Sequence, residues 1–89
     1  MSNVTECGGA KVLWKATSTT SQGFGRAGKR RISGLAICQY PATLHEVYLF
    51  ACDRHWNVIG DLVYSSVEAA KVDAERFYEV TSIAWYPAT

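Results

Sequence analysis

The chain has 89 residues, enough for one domain but too few for a catalytic domain together with a cofactor domain. Hydrophobic residues make up 48% and charged residues 19%, which is the usage of a folded globular chain and excludes an intrinsically disordered one. The net charge of +1 is unevenly distributed: residues 1–44 hold six basic residues against one acidic, and residues 45–89 hold three against seven. This division indicates a positive side that suits an anionic partner, or a head-to-tail contact between copies.

The first part of the chain is predicted to be mostly extended. Residues 1–9 end in two glycines and are expected to be a loose leader. Residues 10–17 alternate between apolar and mostly polar positions, which predicts a half-buried strand. Residues 18–31 are polar, basic and glycine-rich, which predicts a long exposed loop. Residues 32–40 form a second predicted strand, which Pro41 ends.

A β-hairpin is expected next. The segments 46–52 and 56–64 are rich in β-branched and aromatic residues, and a short polar stretch, residues 53–55, separates them. Gly60 lies inside the second arm and predicts a bulge or a close backbone approach.

The period then changes to that of a helix, predicted to run to about Glu79. Ser65 and Glu68 have the spacing of a capping box, and Lys71 and Glu75 the spacing of an ion pair. The apolar residues recur on one face: Val67, Ala70, Ala74, Phe77 and Tyr78. Residues 81–86 are again β-prone, so a short C-terminal strand or tail is expected. The predicted fold is therefore a single α+β domain, with an antiparallel sheet of about four strands and one C-terminal amphipathic helix packed on one face.

The predicted loop carries a glycine pattern and a cluster of cations. Residues 23–28 spell G-x-G-x-x-G, but a nucleotide site also requires a strand before the pattern and a helix after it, and neither is predicted here. Four cations next to one aromatic ring instead suit nucleic acid, by phosphate neutralisation and base stacking. The residues are Phe24, Arg26, Lys29, Arg30 and Arg31. The alternative is a solvated loop without a ligand.

The three cysteines, Cys7, Cys38 and Cys52, are an odd number, so they cannot all form disulfides within one chain. Free thiols and the lack of a signal-peptide pattern at the start predict a cytoplasmic protein with no membrane contact. Cys38 and Cys52 with His45 and His55 do not have the spacing of a structural zinc site, so buried thiols are expected, with neither a metal nor a cofactor.

Aromatic residues are numerous for this length and predict an interface between copies. A chain this small buries them incompletely, and we expect a homodimer or larger assembly centred on Trp14, Trp56, Trp85 and Tyr86. The carboxylates show no pairing typical of acid–base catalysis, so the chain is not expected to be an enzyme.

The segment from Val47 to Asn57, followed by Asp61 and by residues 66–75, resembles the hairpin-plus-helix part of short uncharacterised bacterial proteins. Proteins encoded on mobile gene cassettes are among them, and the resemblance implies no catalytic residues. The strand–strand–helix order is also similar to plant-type three-strand DNA-binding domains. Here the strands lack the Arg and Trp residues with which those domains read bases, so only the topology is implied.

The sequence thus predicts a non-catalytic interaction module that associates with itself or with an unidentified protein. One alternative is nucleic-acid binding through residues 24–31. Another is a small-ligand or enzyme site in a pocket between the sheet and the helix.

Overall fold

The computed structural model describes residues 5–17, 23–77 and 83–88, which form eight strands and one helix. In chain order they are β1 (Glu6–Cys7), β2 (Ala10–Thr17), β3 (Arg26–Ala27), β4 (Arg30–Arg31), β5 (Gly34–Gln39), β6 (Val47–Cys52), β7 (Val58–Tyr64), α1 (Val67–Phe77) and β8 (Tyr86–Pro87). Six strands form a curled antiparallel sheet in the order β1-β2-β5-β6-β7, with β8 paired to β2. The predicted α+β class is confirmed, including the C-terminal helix and the short final strand.

The predicted hairpin is formed by β6 and β7, and its bulge lies beside the glycine that predicted it. Ala51 pairs with Gly60, whereas Cys52 pairs with Val58, so Ile59 is the extra residue. A bulge increases the local twist of the strand pair, and here it lies where the sheet curls.

A second bulge changes which face the residues of β2 occupy. Val12 pairs with Cys38 and Trp14 with Ile37, which leaves Leu13 as the extra residue. Ala10 and Val12 therefore point to one face of the sheet, whereas Trp14 and Ala16, which continue the same alternation, point to the other. The sequence alternation predicted one apolar face for the whole strand, and that prediction is wrong because alternation assumes an unbroken ladder.

Both faces of the sheet consequently bury apolar residues. The helix-side core lies under α1 and contains Ala16, Phe24, Ile32, Leu35, Ile37, Val47, Leu49, Ala51, Ala70 and Ala74. The second core lies on the opposite face and contains Cys7, Ala10, Val12, Ala36, Cys38, Phe50 and Cys52. Burial on both faces explains why β5 and β6 are continuous apolar runs in the sequence.

The N-terminal residues do not form the loose leader that the glycines predicted. Cys7 pairs with Ala10 across a turn at Gly8 and Gly9, and only 3% of its surface is exposed. The two glycines make a hairpin turn, with positive φ angles of 56° and 83°, instead of a flexible linker. Residues 1–4 lie outside the described residues.

The helix begins one residue later than the capping box predicted. Ser66, not Ser65, is the N-cap: its Oγ accepts the N–H of Ala69 at 3.1 Å. Glu68 is therefore the second helical residue and not the third, so it does not complete the predicted box. The segment from Tyr78 to the predicted end at Glu79, and the side chain of Phe77, lie outside the described residues.

The buried face of α1 agrees with the periodicity, but the predicted ion pair does not form. Ala70 and Ala74 are fully buried. Lys71 places its Nζ 3.6 Å from the centroid of the Trp14 ring, instead of pairing with Glu75. Glu75 accepts the backbone N–H of Ile83 at 3.2 Å and so holds the segment that leads to β8. Among the described residues no helix is long and apolar enough to cross a membrane.

Candidate functional site

The basic segment is a short hairpin, not an open loop. Arg26 pairs with Arg31 and Ala27 with Arg30, and Gly28 and Lys29 form the turn between them. The prediction of an irregular exposed loop is wrong for residues 23–31, although the basic side chains are exposed as predicted. Residues 18–22 lie outside the described residues.

Two buried residues fix the base of this hairpin to the helix-side core. Phe24 is 8% exposed and Ile32 is 3% exposed. The N–H of Phe24 donates to the carbonyl of Ile32 at 2.8 Å, and the N–H of Ile32 donates to that of Gly25 at 2.9 Å. The base-stacking role predicted for Phe24 is therefore wrong, because the ring is buried in the core.

Gly23 explains part of the glycine pattern without any phosphate. Its φ is +67°, and a Cβ there would lie 2.3 Å from the carbonyl oxygen of Ile32. Because that oxygen belongs to the backbone and accepts the hydrogen bond from Phe24, it cannot move away. The glycine is required by the base of the hairpin.

A second loop, between β6 and β7, lies beside the hairpin and is organised by Asp53. One carboxylate oxygen accepts the N–H groups of His55 and Asn57, both at 2.9 Å. The other accepts Arg30 Nη2 at 2.8 Å and Asn57 Nδ2 at 3.2 Å. The Asn57 backbone N–H, with the further donors and the Arg30 charge, holds the pKa of Asp53 below its ordinary value.

Trp56 completes this loop in a left-handed conformation. Its φ is +63°, which is uncommon for a bulky residue. Its ring covers Gly34, where a Cβ would come within 2.8 Å of the indole. The Trp56 ring thus packs on β5 at a position where only glycine leaves room for it. This contact fixes the loop, and Arg54 and His55 are held next to the hairpin.

An open cavity of about 480 Å³ lies between the hairpin and the clamped loop, and we call it the basic pocket. Five of its lining residues are cations: Arg26, Lys29, Arg30, Arg31 and Arg54. Ser33, Asp53 and His55 complete the lining. With His55 neutral, the five cations and one carboxylate give the pocket a formal charge of +4, larger than the +1 of the whole chain.

Most of this charge is available to a ligand. Within the described part of the chain, only Arg30 among the five cations forms an ion pair, and its side chain is still 62% exposed. Arg26 donates to the carbonyl of Lys29 at 3.1 Å, which stiffens the turn. A guanidinium has five N–H donors, so both arginines retain donors for an oxyanion.

Asp53 is poorly suited to act as a general base in this pocket. Both oxygens of Asp53 are occupied as hydrogen-bond acceptors, and a depressed pKa is unfavourable for a general base near neutral pH. His55 accepts a hydrogen bond from Arg54 Nε at 3.3 Å, and no thiol lines the pocket.

Four of the five predicted nucleic-acid residues line the pocket, and Phe24 does not. Arg54 and His55 are the residues that sequence reasoning missed, because they lie more than twenty positions away. In the sequence, only Asp53 gives a signal for these two residues. An Asp before a short polar turn typically accepts hydrogen bonds from the backbone N–H groups of the turn, and the side chains that follow it then face solvent.

The other sites considered from the sequence are not assembled. Cys38 and Cys52 are buried in the second core, as predicted, whereas His45 and His55 are exposed. Across residues 5–17, 23–77 and 83–88 no group of three potential ligands is placed to hold a metal ion.

The predicted interface residues are mainly used within the chain. Trp14 and Trp85 pack against the helix-side core and Trp56 against the second core, each half-buried. Tyr86 alone among the four is exposed, at 58%. Among the described residues, the other large apolar side chains that are exposed are Leu44, Leu62, Val63 and Val72.

A second open depression of about 440 Å³ is lined by Tyr64 at the end of β7 and by residues of α1. Tyr64 donates a hydrogen bond to Asp73 there at 2.6 Å. Glu68 and Val72 also line it, with Ala69 and Arg76. The lining combines apolar and acidic side chains with a single cation, Arg76. The small-ligand site predicted between the sheet and the helix stays a prediction.

Comparisons with protein-family models, with curated proteins and with solved structures find no match to this chain. The resemblance to short bacterial cassette proteins stays a prediction. The basic pocket and its surroundings are therefore the basis for assigning a function.

Proposed function

We propose that this protein is a non-catalytic binding module that holds the phosphate backbone of nucleic acid in the basic pocket. The observation that carries the proposal is the grouping of five cations from two separate segments around one cavity. Cations that serve only to keep the chain in solution do not need to lie together on one surface.

The arrangement favours a polymer over a single small anion. The cations extend along the hairpin and onto the neighbouring loop, and they line an open surface. Successive phosphates of one strand present charges in a row, so several cations can be neutralised at once, each releasing a condensed counterion. A single phosphate would occupy only two or three of the available donors.

The same geometry predicts recognition without sequence preference. Phosphate contacts position a nucleic acid, whereas base contacts specify it. Phe24 is buried, and among the described residues no Phe, Tyr or Trp side chain lines the pocket. We therefore expect binding to depend on charge density and not on the bases.

The test compares two variants that each remove one Lys and one Arg. Lys29→Ala with Arg31→Ala removes two unpaired cations of the pocket, and Arg30 is left in place because it holds Asp53. Lys11→Ala with Arg76→Ala removes two exposed cations that do not line the pocket. Fluorescence anisotropy with labelled single-stranded and duplex DNA is measured at about 50 mM salt, where electrostatic binding is strong.

The proposal expects the pocket variant to lose at least tenfold in affinity and the control to lose less than threefold. Equal losses in the two variants would show that only net charge matters. Absence of binding by the unaltered protein would reject the proposal outright.

Self-association is a second candidate function, and the exposed edge strand favours it. Among the described strands β7 pairs only with β6, so it is an edge strand of the described sheet. Leu62 and Val63 on this strand are 36% and 53% exposed. A long edge strand with exposed apolar residues is a template for pairing with another copy.

Sedimentation equilibrium of Val63→Lys tests this candidate. A lysine on an edge strand opposes strand pairing, so a dimer formed through β7 should dissociate. Leu44→Lys, at an exposed apolar residue outside the sheet, is the matched control. A monomeric unaltered protein at micromolar concentration would exclude self-association of useful strength.

A further inference from the structure

The hairpin of β3 and β4 places two arginines directly opposite each other. Arg26 on β3 pairs with Arg31 on β4, and Ala27 pairs with Arg30. Residues that pair directly across an antiparallel ladder lie on the same face, so the Arg26 and Arg31 side chains leave the hairpin side by side. Both are exposed, and both line the basic pocket. Neither forms an ion pair with any described residue.

The other face of the hairpin attaches it to the rest of the chain. Ala27 packs against the helix-side core, and Arg30 donates to Asp53 at 2.8 Å. Successive residues of a strand point to opposite faces, so this attached face is not the one that carries Arg26. An anion on the face of the opposed arginines therefore breaks none of the contacts that hold the hairpin in place.

Each of the two opposed side chains is positioned before a ligand arrives. Arg26 Nη1 donates to the carbonyl of Lys29 at 3.1 Å, within the turn of the hairpin. The stem of Arg31 packs on Gly23, where a Cβ would lie 3.2 Å from Arg31 Cγ. A side chain that is ordered in advance loses less conformational entropy when it binds. The two guanidinium groups are thus preorganised next to each other.

The two opposed charges are unfavourable for the free protein. Like charges directly opposite on paired strands repel each other, whereas opposite charges attract. The hairpin of β1 and β2 has the favourable arrangement, because Glu6 lies opposite Lys11 there. An anion between Arg26 and Arg31 removes the repulsion, so the free energy that it costs the free protein is recovered on binding.

We propose that Arg26 and Arg31 form an arginine pair that holds one phosphate group of the nucleic acid between its two guanidinium groups. The proposal rests on the function proposed above and names the residues that recognise the phosphate. A guanidinium is planar and offers parallel N–H donors that match two oxygens of one phosphate, whereas an ammonium is a point charge. Two facing guanidinium groups match the two non-bridging oxygens of a phosphodiester. Recognition therefore depends on the geometry of the donors as well as on their charge.

Charge-preserving substitutions separate donor geometry from charge. The double variant Arg26→Lys with Arg31→Lys retains both charges and loses both planar donor groups. Arg76→Lys makes the same chemical change at an exposed arginine outside the basic pocket and is the control. Fluorescence anisotropy with labelled duplex DNA is measured at about 50 mM salt, where electrostatic binding is strong.

The double Lys variant should bind DNA about tenfold more weakly, and the control should bind within about twofold of the unaltered protein. The dependence of log affinity on log salt should be the same in all three, because the number of cations is unchanged. A double variant that binds as tightly as the unaltered protein would overturn the arginine pair and leave the proposed function standing. Absence of binding by the unaltered protein would reject both.

Charge reversal tests the arginine pair without any ligand. Arg31→Glu places a carboxylate opposite Arg26, so the melting temperature at low salt should rise by about 2 °C or more. Lys11→Glu is the mirror control: it places a carboxylate opposite Glu6, and the melting temperature should fall. A melting temperature that falls for Arg31→Glu would overturn the proposal, because the opposed arginines would then not be in tension. The same variant should bind duplex DNA more weakly although it is more stable, a combination that a purely structural role of the arginine does not predict.

Discussion

Phe24→Ala tests whether this ring anchors the basic hairpin or serves as a surface for bases. The ring is 8% exposed and packs in the helix-side core. Truncation of a buried Phe costs about 3–5 kcal/mol, and the lower end applies here because the hairpin lies at the rim of the core and can partly close the gap. For a chain of this size, whose free energy of unfolding is on the order of 5–10 kcal/mol, a loss of about 3 kcal/mol is a large fraction.

Urea denaturation measures the effect directly. With an m-value of about 1 kcal/mol per M for a small domain, the midpoint should fall by about 3 M. Phe24→Leu retains an apolar side chain and should recover most of this loss. In the binding assay the Ala variant, where still folded, should lose affinity for single-stranded and duplex DNA alike. An unchanged midpoint together with a selective loss for single strands would refute the anchoring role and restore base stacking.

Three other substitutions test the local structure. Ser66→Ala should lower the free energy of unfolding by about 1 kcal/mol because it removes the N-cap, whereas Ser65→Ala should change it little; equal effects would mean that the cap is misassigned. Lys71→Met should cost about 0.5–1 kcal/mol through loss of the cation–π contact with Trp14, and a fluorescence-monitored urea titration checks it. Asp53 has a lowered pKa in the folded state, so its ionised form stabilises the fold above its unfolded-state pKa of about 4, and this contribution is lost as the pH falls through the folded-state pKa. Asp53→Asn should remove that part of the acid dependence, and a series of urea midpoints from pH 7 down to about 2.5 would show it.

The sequence predicts the elements that carry a strong local pattern. The four long strands and the helix are predicted within a few residues, β2 and α1 from their periodicity and β5, β6 and β7 from runs of apolar and β-prone residues. Gly60 also predicts the bulge beside it, since a glycine inside a strand weakens regular pairing and often marks a bulge.

The errors arise where long-range contacts override a local pattern. The bulge at Leu13 divides one apolar stripe between two cores, and nothing in the alternation of β2 indicates it. Phe24 lies in a polar stretch of the sequence, so its side chain is predicted to be exposed. In the structure it is buried in the helix-side core. Lys71 prefers the face of Trp14 to its sequence neighbour Glu75, and this choice depends on a strand more than fifty residues away.

Only half of the candidate site is predictable from the sequence, because the other half depends on long-range contacts. The cations of the hairpin are adjacent in sequence and can be recognised as a group. Arg54 and His55 join them only because Asp53 ties the second loop to Arg30 and because Trp56 clamps it over Gly34. Neither contact has a sequence signature, so the pocket becomes visible only in the folded chain.

The salt dependence of DNA binding tests the central claim most directly. Within residues 5–17, 23–77 and 83–88, four cations of the basic pocket have no carboxylate partner, so the plot of log affinity against log salt concentration for duplex DNA should have a slope of about −3.6. The variant without the Lys29 and Arg31 charges should have a slope of about −1.8, and the Lys11 and Arg76 variant should keep the slope of the unaltered protein. Identical slopes in all three proteins would contradict a phosphate-binding pocket formed by the hairpin and its neighbouring loop.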